Sequence, residues 1–166
     1  MLIAKSIKFL LILIVLIVGI VIRIRASRRH KGLTRDLKKA RTDQEYASDL
    51  VESLEFFYGG IEFSAYQDAV DKIKQIQMNQ KIGSYYFGEL IEVDSNRFIC
   101  PVKREVMMDD EKTDKPIVAG FELMIFAIIV NQEKSKVEVY SDLFEDLEDK
   151  QNKAGFSAAL KEYLDL

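Results

Sequence analysis

The chain has 166 residues, a formal net charge of −3, one cysteine and one histidine. A single cysteine excludes a framework of intrachain disulfides. The only histidine, His30, lies in a basic segment near the N-terminus, so the sequence offers no Ser–His–Asp or Cys–His arrangement for nucleophilic catalysis. It also contains no glycine-rich phosphate loop and no calcium-loop spacing of acidic residues. We therefore predict no catalytic residue, no metal site and no cofactor.

An apolar segment near the N-terminus predicts a membrane anchor. Residues 9–22 are all apolar or Gly, and the segment grows to 18 residues when it is taken as 7–24, which brings Lys8 and Arg23 inside its ends. The hydrocarbon core of a bilayer is ~30 Å thick, and long basic side chains at the ends of a short span can reach the headgroups. We predict an uncleaved transmembrane anchor over residues 1–24.

Two alternatives to an anchor stay open. A secretory signal peptide has a similar apolar length, but its cleavage site needs small residues, and this chain places Arg23 and Arg25 directly after the apolar core. A buried helix of a soluble protein is the other alternative.

Basic side chains follow the apolar segment. Nine Lys or Arg and one acid lie in residues 23–41, against two Lys before the segment. By the positive-inside rule, this asymmetry favours a cytosolic body at the cell membrane, with an exported body as the alternative. Residues 25–33 form a basic juxtamembrane collar, which serves as a topology signal and can contact anionic headgroups, at about 1 kcal/mol for each Lys or Arg near the surface. The candidate membrane-surface residues are Arg23, Arg25, Arg28, Arg29 and Lys31.

The rest of the chain is strongly acidic. Residues 42–166 contain 13 Lys or Arg and 26 Asp or Glu, a net charge of −13. Nucleic-acid binding depends on neutralising phosphates, so we predict no nucleic-acid partner. The residues after the collar suit one ordinary domain. We therefore place a single soluble α+β domain at residues 34–166.

Two helices open this domain. Gly32 is expected to break the helix that leaves the membrane, and Thr34 to cap a new one. The spacing of apolar residues then predicts a helix over residues 33–58, ended by Gly59-Gly60, with this seam: Leu33, Leu37, Ala40, Ala47, Val51, Leu54 and Tyr58. Thr42 and Glu45 form a capping-box pattern inside this run, and a restart of the helix there is the alternative to one continuous helix. The helix either packs on its own domain or forms a coiled-coil homodimer. A second helix, over residues 64–80, completes a helical hairpin.

Four strands and short helices follow. Alternating or continuous apolar residues predict strands over residues 85–93, 97–107, 116–130 and 137–140. Pro101 cannot donate a ladder hydrogen bond, so the second strand is expected at an edge or bulged. Residues 116–130 are apolar on both faces and predict a central strand, after a loop at residues 109–115. Short C-terminal helices end the chain, and Cys100 is expected to be a small buried hydrophobe.

This order of elements resembles the cystatin-like and NTF2-like domains. In these, including the VirB8-like subunits of bacterial conjugation machines, a helical N-terminal part packs on a curved antiparallel sheet. The resemblance covers residues 34–142 by element order alone, and it assigns a role to no residue. It implies an α+β fold and favours the exported placement of the domain.

Two functions fit these features. The first is a non-catalytic interaction module, a component or regulator of a membrane-associated bacterial complex, with an unknown protein partner. The second is a membrane-tethered domain that binds or converts a small ligand. Its pocket would be lined by aromatic and sulfur-containing side chains: Tyr85, Tyr86, Phe87 and Met124.

Overall fold

In this computed structural model, residues 2–110 and 115–165 are described, with side chains from residue 10 onward. The chain divides into two compact units, residues 1–35 and 36–166. The described residues form four helices: α1 (Leu2–Ala40), α2 (Gln44–Ser53), α3 (Tyr66–Lys74) and α4 (Leu147–Leu164). In the same part of the chain, seven strands form one sheet: β1 (Phe56–Glu62), β2 (Lys81–Ile82), β3 (Tyr85–Phe87), β4 (Ile91–Glu92), β5 (Arg97–Asp109), β6 (Pro116–Asn131) and β7 (Lys136–Ser141).

Helix α1 contains the predicted membrane segment. It is long and apolar enough to cross a membrane, and the protein buries none of its most apolar stretch. Contrary to the prediction, Gly32 does not break it, and the helix continues to Ala40. Glycine inside a helix costs only about 1 kcal/mol relative to alanine. The Thr34 hydroxyl donates a hydrogen bond to the His30 carbonyl (2.8 Å) within the helix and does not cap a new one.

The predicted helix over residues 33–58 is wrong as one element, and a second helix does begin near the capping-box pattern at Thr42. Helix α1 ends at Ala40, Asp43 caps α2 by accepting a hydrogen bond from the Tyr46 amide (3.0 Å), and the chain then forms strand β1. Gly59 and Gly60 lie inside this strand, where Gly59 takes a positive φ of 117° at an irregularity in the pairing with β7. The buried seam side chains pack within the domain: Leu37, Ala40, Ala47, Val51 and Leu54. A homodimer through this segment stays a prediction that their burial does not favour.

The sheet is antiparallel, in the order β1-β7-β6-β5-β3-β2, with β4 also pairing with β5. It has seven strands where four were predicted, because β1 joins one edge and the predicted strand over residues 85–93 is divided into β3 and β4, with β2 beside β3. Strand β6 lies inside the sheet between β5 and β7, as its two-sided apolar pattern predicts. The α+β class and the antiparallel sheet are confirmed.

Helices cover both faces of the sheet over part of its area. On one face, which we call the core face, α3 and α4 pack on the largest apolar cluster, through Ile73, Phe156 and Leu160. On the opposite face, α2 packs against β5, and Arg97 on β5 donates a hydrogen bond to Ser48 on α2 (3.0 Å). The two predicted C-terminal helices are one helix, α4, capped by Asp146.

Pro101 lies in β5 at neither an edge nor a bulge. Its carbonyl accepts a hydrogen bond from the Gly88 amide (2.7 Å) on the side away from β6. In an antiparallel strand, the N–H and C=O of one residue point to the same side. The missing N–H of Pro101 therefore points to the break between β3 and β4, where no strand needs it, and the ladder to β6 is undisturbed.

Candidate interaction surface

The basic collar lies on helix α1. Arg23, Arg25, Arg28 and Lys31 are exposed and Arg29 is half-buried. At 3.6 residues per turn, these positions are spread over about two thirds of the helix circumference. The collar is therefore a ring of cations at the end of the apolar segment.

The four predicted pocket residues do not share one face of the sheet. Tyr85, Phe87 and Met124 are buried in the apolar cluster of the core face, where Phe87 contacts the ring of Phe156 (5.6 Å between centroids). Tyr86 points to the opposite face, because successive residues of a strand alternate between faces. A ligand pocket lined by all four stays a prediction that would require another arrangement of these side chains.

Tyr85 anchors helix α4 to the sheet. Its hydroxyl donates a hydrogen bond to the Asn152 carbonyl (2.7 Å), and burial raises the pKa of this phenol. The same hydroxyl explains why residue 155 is a glycine, since a Cβ at that position would lie 2.5 Å from the Tyr85 oxygen. Tyr85 is therefore a core residue.

Tyr86 belongs to a polar cluster on the opposite face. Its hydroxyl donates a hydrogen bond to Glu105 (2.5 Å), Lys81 lies 3.1 Å from the same carboxylate, and the Tyr86 ring contacts Phe121 (6.0 Å). The Tyr86 hydrogen bond, together with Lys81, holds the pKa of Glu105 below its usual value. The cluster lies at the point where β5 and β6 leave the body of the sheet.

Beyond this cluster, β5 and β6 continue as a two-stranded ribbon. Strand β3 pairs with β5 only as far as Arg104, and β7 pairs with β6 only from Phe126 onward. We call residues 105–109 and 116–122 the arm; of the predicted loop between its strands, residues 111–114 lie outside the described part of the chain. Its large apolar side chains are 44–59% exposed: Met107, Met108, Ile117, Val118 and Phe121. The arm is thus an exposed apolar surface, the kind of patch that marks interaction sites.

A second exposed region lies where β7 ends. Residues 142–149, which span the turn after β7 and the first residues of α4 and which we call the acidic loop, contain five acids and two leucines, Leu143 and Leu147, that are 71% and 69% exposed. Phe144 holds the loop to the body by an edge contact with Phe56 (4.9 Å between centroids). The loop combines negative charge with exposed apolar side chains.

A buried lysine fixes the acidic loop to helix α4. Lys153 is 1% exposed, and its Nζ lies 2.8 Å from an Asp142 carboxylate oxygen and 3.0 Å from one of Asp149. It also donates to the carbonyl of Leu143 (3.1 Å). Because acceptors of the protein surround this ammonium, its N–H donors are not available to a bound substrate. We therefore interpret Lys153 as a structural residue.

The remaining candidates for chemistry are sparse. A depression of about 290 Å³ lies between α3 and β4, and its rim carries Lys74 and Glu92, which pair with each other at 2.8 Å. Cys100 is fully buried, and burial raises the pKa of its thiol, so the thiolate is strongly disfavoured. Among the described residues, no group of three or more His, Cys, Asp or Glu could hold a metal ion.

Comparison of the chain with family models, with curated proteins and with solved structures finds no match. The arm and the acidic loop are the two features that the sequence reasoning missed. One signal for the arm was present in the sequence, since the predicted strand over residues 116–130 is far longer than its predicted neighbour over 137–140 and must extend beyond it.

Proposed function

We propose that the protein is a single-pass, membrane-anchored, non-catalytic interaction module, a component or regulator of a membrane-associated complex. The observation that carries this proposal is an apolar helix that the protein itself leaves uncovered. The large apolar side chains of residues 10–24 are 43–71% exposed, which in water would cost about 25 cal/mol for each Å² of apolar area left unburied. A bilayer removes this cost.

The arm supports the interaction part of the proposal. A soluble domain rarely leaves five large apolar side chains exposed on one ribbon, and each of them would be stabilised by burial against a partner. The collar then supplies the contact with anionic lipid headgroups. We place the domain in the cytosol, because nine basic residues follow the apolar segment and two precede it.

Carbonate extraction of membranes, followed by intact-mass measurement, tests the anchor. The full-length mass in the carbonate-resistant pellet is expected. A soluble chain that has lost its N-terminal residues would contradict the proposal.

Labelling of intact cells with a membrane-impermeant maleimide tests the side of the membrane. Met78 is 62% exposed on the domain, so Met78→Cys provides an accessible thiol. The unmodified chain is the negative control, because its single cysteine, Cys100, is buried. A cytosolic domain stays unlabelled until lysis. Neutralising Arg23, Arg25, Arg28 and Arg29 together is expected to increase labelling before lysis, and prompt labelling of the Met78→Cys chain without these changes would reverse the placement.

A further inference from the structure

One edge of β6 is paired over only part of its length. Strand β7 pairs with Phe126–Asn131, and no described strand pairs with residues 116–125 on that side. We call these ten residues the open edge, which is about 34 Å long at 3.4 Å per residue. An apolar edge of this length is a template for another strand.

The backbone of the open edge presents hydrogen-bonding groups outward. Pro101 directs its carbonyl away from β6 and is the register partner of Ile125, so Ile125 directs its own N–H and C=O away from β5. By the alternation of a strand, Leu123 and Phe121 do the same. Consistently, the amide of Val130, an even-numbered residue, donates towards the β5 side, to the Asn96 carbonyl (2.8 Å).

The charge along this edge changes sign from end to end. Within residues 117–125 the only charged side chain is Glu122, and Arg104 lies 3.4 Å from it. Lys115 is exposed beside one end of the edge. At the other end, β7 stops at Ser141 and the acidic loop begins, with its Glu148 3.7 Å from Arg104.

We propose that the open edge binds the open edge of a second copy of this chain in antiparallel orientation. This inference rests on the proposed function and names the partner. A twofold axis normal to the sheet brings Lys115 of each copy to the acidic loop of the other, so the favourable charge contact occurs twice. The acidic residue Asp109 ends β5, one strand further from the contact, and Asp110 follows it, with its amide donating a hydrogen bond to the Lys115 carbonyl (3.0 Å).

Apolar complementarity follows from the same symmetry. Met108 and Ile117 are a cross-strand pair, and Met108 lies on the same face as Arg104, which is the face where α4 begins. The twofold axis keeps this face on the same side in both copies. The exposed end of one arm therefore meets Leu143 and Leu147 of the other copy, which are the exposed leucines of the acidic loop.

A bilayer is a poorer occupant of the arm. Insertion would carry Asp109 and Asp110 towards the hydrocarbon core, where acidic side chains are strongly disfavoured. A second copy is also favoured by the anchor of the proposed function, since two chains in one membrane meet at a high effective concentration.

The mass of the full chain in detergent micelles, followed over a concentration series by light scattering, tests the inference. The unmodified chain is expected to be dimeric. A lysine on the edge blocks strand pairing, so Phe121→Lys is expected to raise the dimer Kd at least tenfold. Met78→Lys, at an exposed methionine away from the arm, is the matched control and is expected to stay dimeric. Circular dichroism melting checks that both variants fold.

Disulfide formation between two tagged chains tests the orientation. A chain with Lys115→Cys is expected to link to a chain with Leu147→Cys, whereas Lys115→Cys alone is expected not to link to itself, because the two copies of this residue lie more than about 30 Å apart. Self-linking of Lys115→Cys, a dimer unaffected by Phe121→Lys, or a monomeric unmodified chain would each overturn the inference. If the monomeric chain remains carbonate-resistant and is crosslinked through the arm to a different protein, the inference fails while the proposed function stands.

Discussion

Strands β5 and β6 are the same two strands along their whole length, but their two halves have different surroundings. Residues 97–104 and 123–131 lie in the covered part of the sheet, where Ile99, Phe126 and Ile128 are fully buried. Residues 105–109 and 116–122 form the arm, where Phe121 is 59% exposed. The apolar pattern is continuous across both halves, so hydrophobic periodicity alone does not tell a core strand from an interaction surface. The lengths of the neighbouring strands do.

The largest expected loss of stability comes from an aspartate in the covered half of β6, and the same substitution in the arm is its comparison. Ile125 is 4% exposed, and Ile125→Asp places an unpaired carboxylate in the core, so we expect the domain to lose several kcal/mol of unfolding free energy and to unfold. Phe121→Asp in the arm is expected to cost less than about 1 kcal/mol in the monomer. Urea unfolding of the full chain in mild detergent measures both. Equal losses would mean that the arm is covered by the rest of its own chain.

The next largest loss of stability is expected at the buried ion cluster of Lys153, Asp142 and Asp149. Lys153→Met leaves Asp142 and Asp149 without their cation, and breaking a buried pair on one side costs about 3–5 kcal/mol. Lys150 lies on the same helix, over the Phe144 ring at 5.3 Å, and Lys150→Met is the control, expected to cost about 0.5–1 kcal/mol. The same urea experiment compares them. Similar losses would show that Lys153 does not hold the acidic loop.

Acid sensitivity is expected from β7, which pairs with the covered half of β6. Burial alone would raise the pKa of Glu138, but hydrogen bonds from Lys134 (2.8 Å), Tyr140 (3.0 Å) and Asn131 outweigh it and hold that pKa below its usual value. A lowered folded pKa stabilises the domain above the unfolded pKa of about 4.3, and this stabilisation is lost as the pH falls through the folded pKa. Glu138→Gln is expected to flatten the fall in melting temperature between about pH 5 and pH 3. An unchanged slope would remove Glu138 from the account.

The smallest effect is expected where the two halves meet. Tyr86→Phe removes the hydrogen bond to Glu105, at about 0.5–1.5 kcal/mol. Tyr163→Phe is the control, since among the described residues its ring contacts Phe87 and its hydroxyl has no hydrogen-bond partner. A loss for Tyr86→Phe no larger than for Tyr163→Phe would show that the cluster does not fix the start of the arm.

Much of the fold follows from local sequence pattern. The apolar run in α1 and the strands β5 and β6 were predicted within a few residues, because each has a long and uninterrupted periodicity. Strand β1 was not predicted, because Phe57 and Tyr58 fit the helical spacing that precedes them and Gly59-Gly60 resembles a helix end. Its pairing with β7, almost 80 residues later, is a non-local contact that no short window contains.

The candidate surface was less accessible to sequence reasoning. Successive residues of a strand alternate between faces, so Tyr85, Tyr86 and Phe87 cannot all face one pocket. The sequence alone was enough to predict this. The exposure of Phe121 was not, because it depends on where β3 and β7 end relative to β5 and β6. To predict the structure of the acidic loop, one would have to know that Lys153 is buried against it. The helical pattern of α4 does not contain this information.

We propose above that the arm, on a membrane-anchored chain, is the surface through which the protein binds a second copy of itself. Placing a photo-crosslinking amino acid at Phe121 and, separately, at Met78 tests it directly in native membranes, because both positions are exposed but only Phe121 lies on the arm. A light-dependent adduct is expected at Phe121, at the mass of two copies, and none at Met78. The absence of any adduct at Phe121, or an equal yield from both positions, would contradict it.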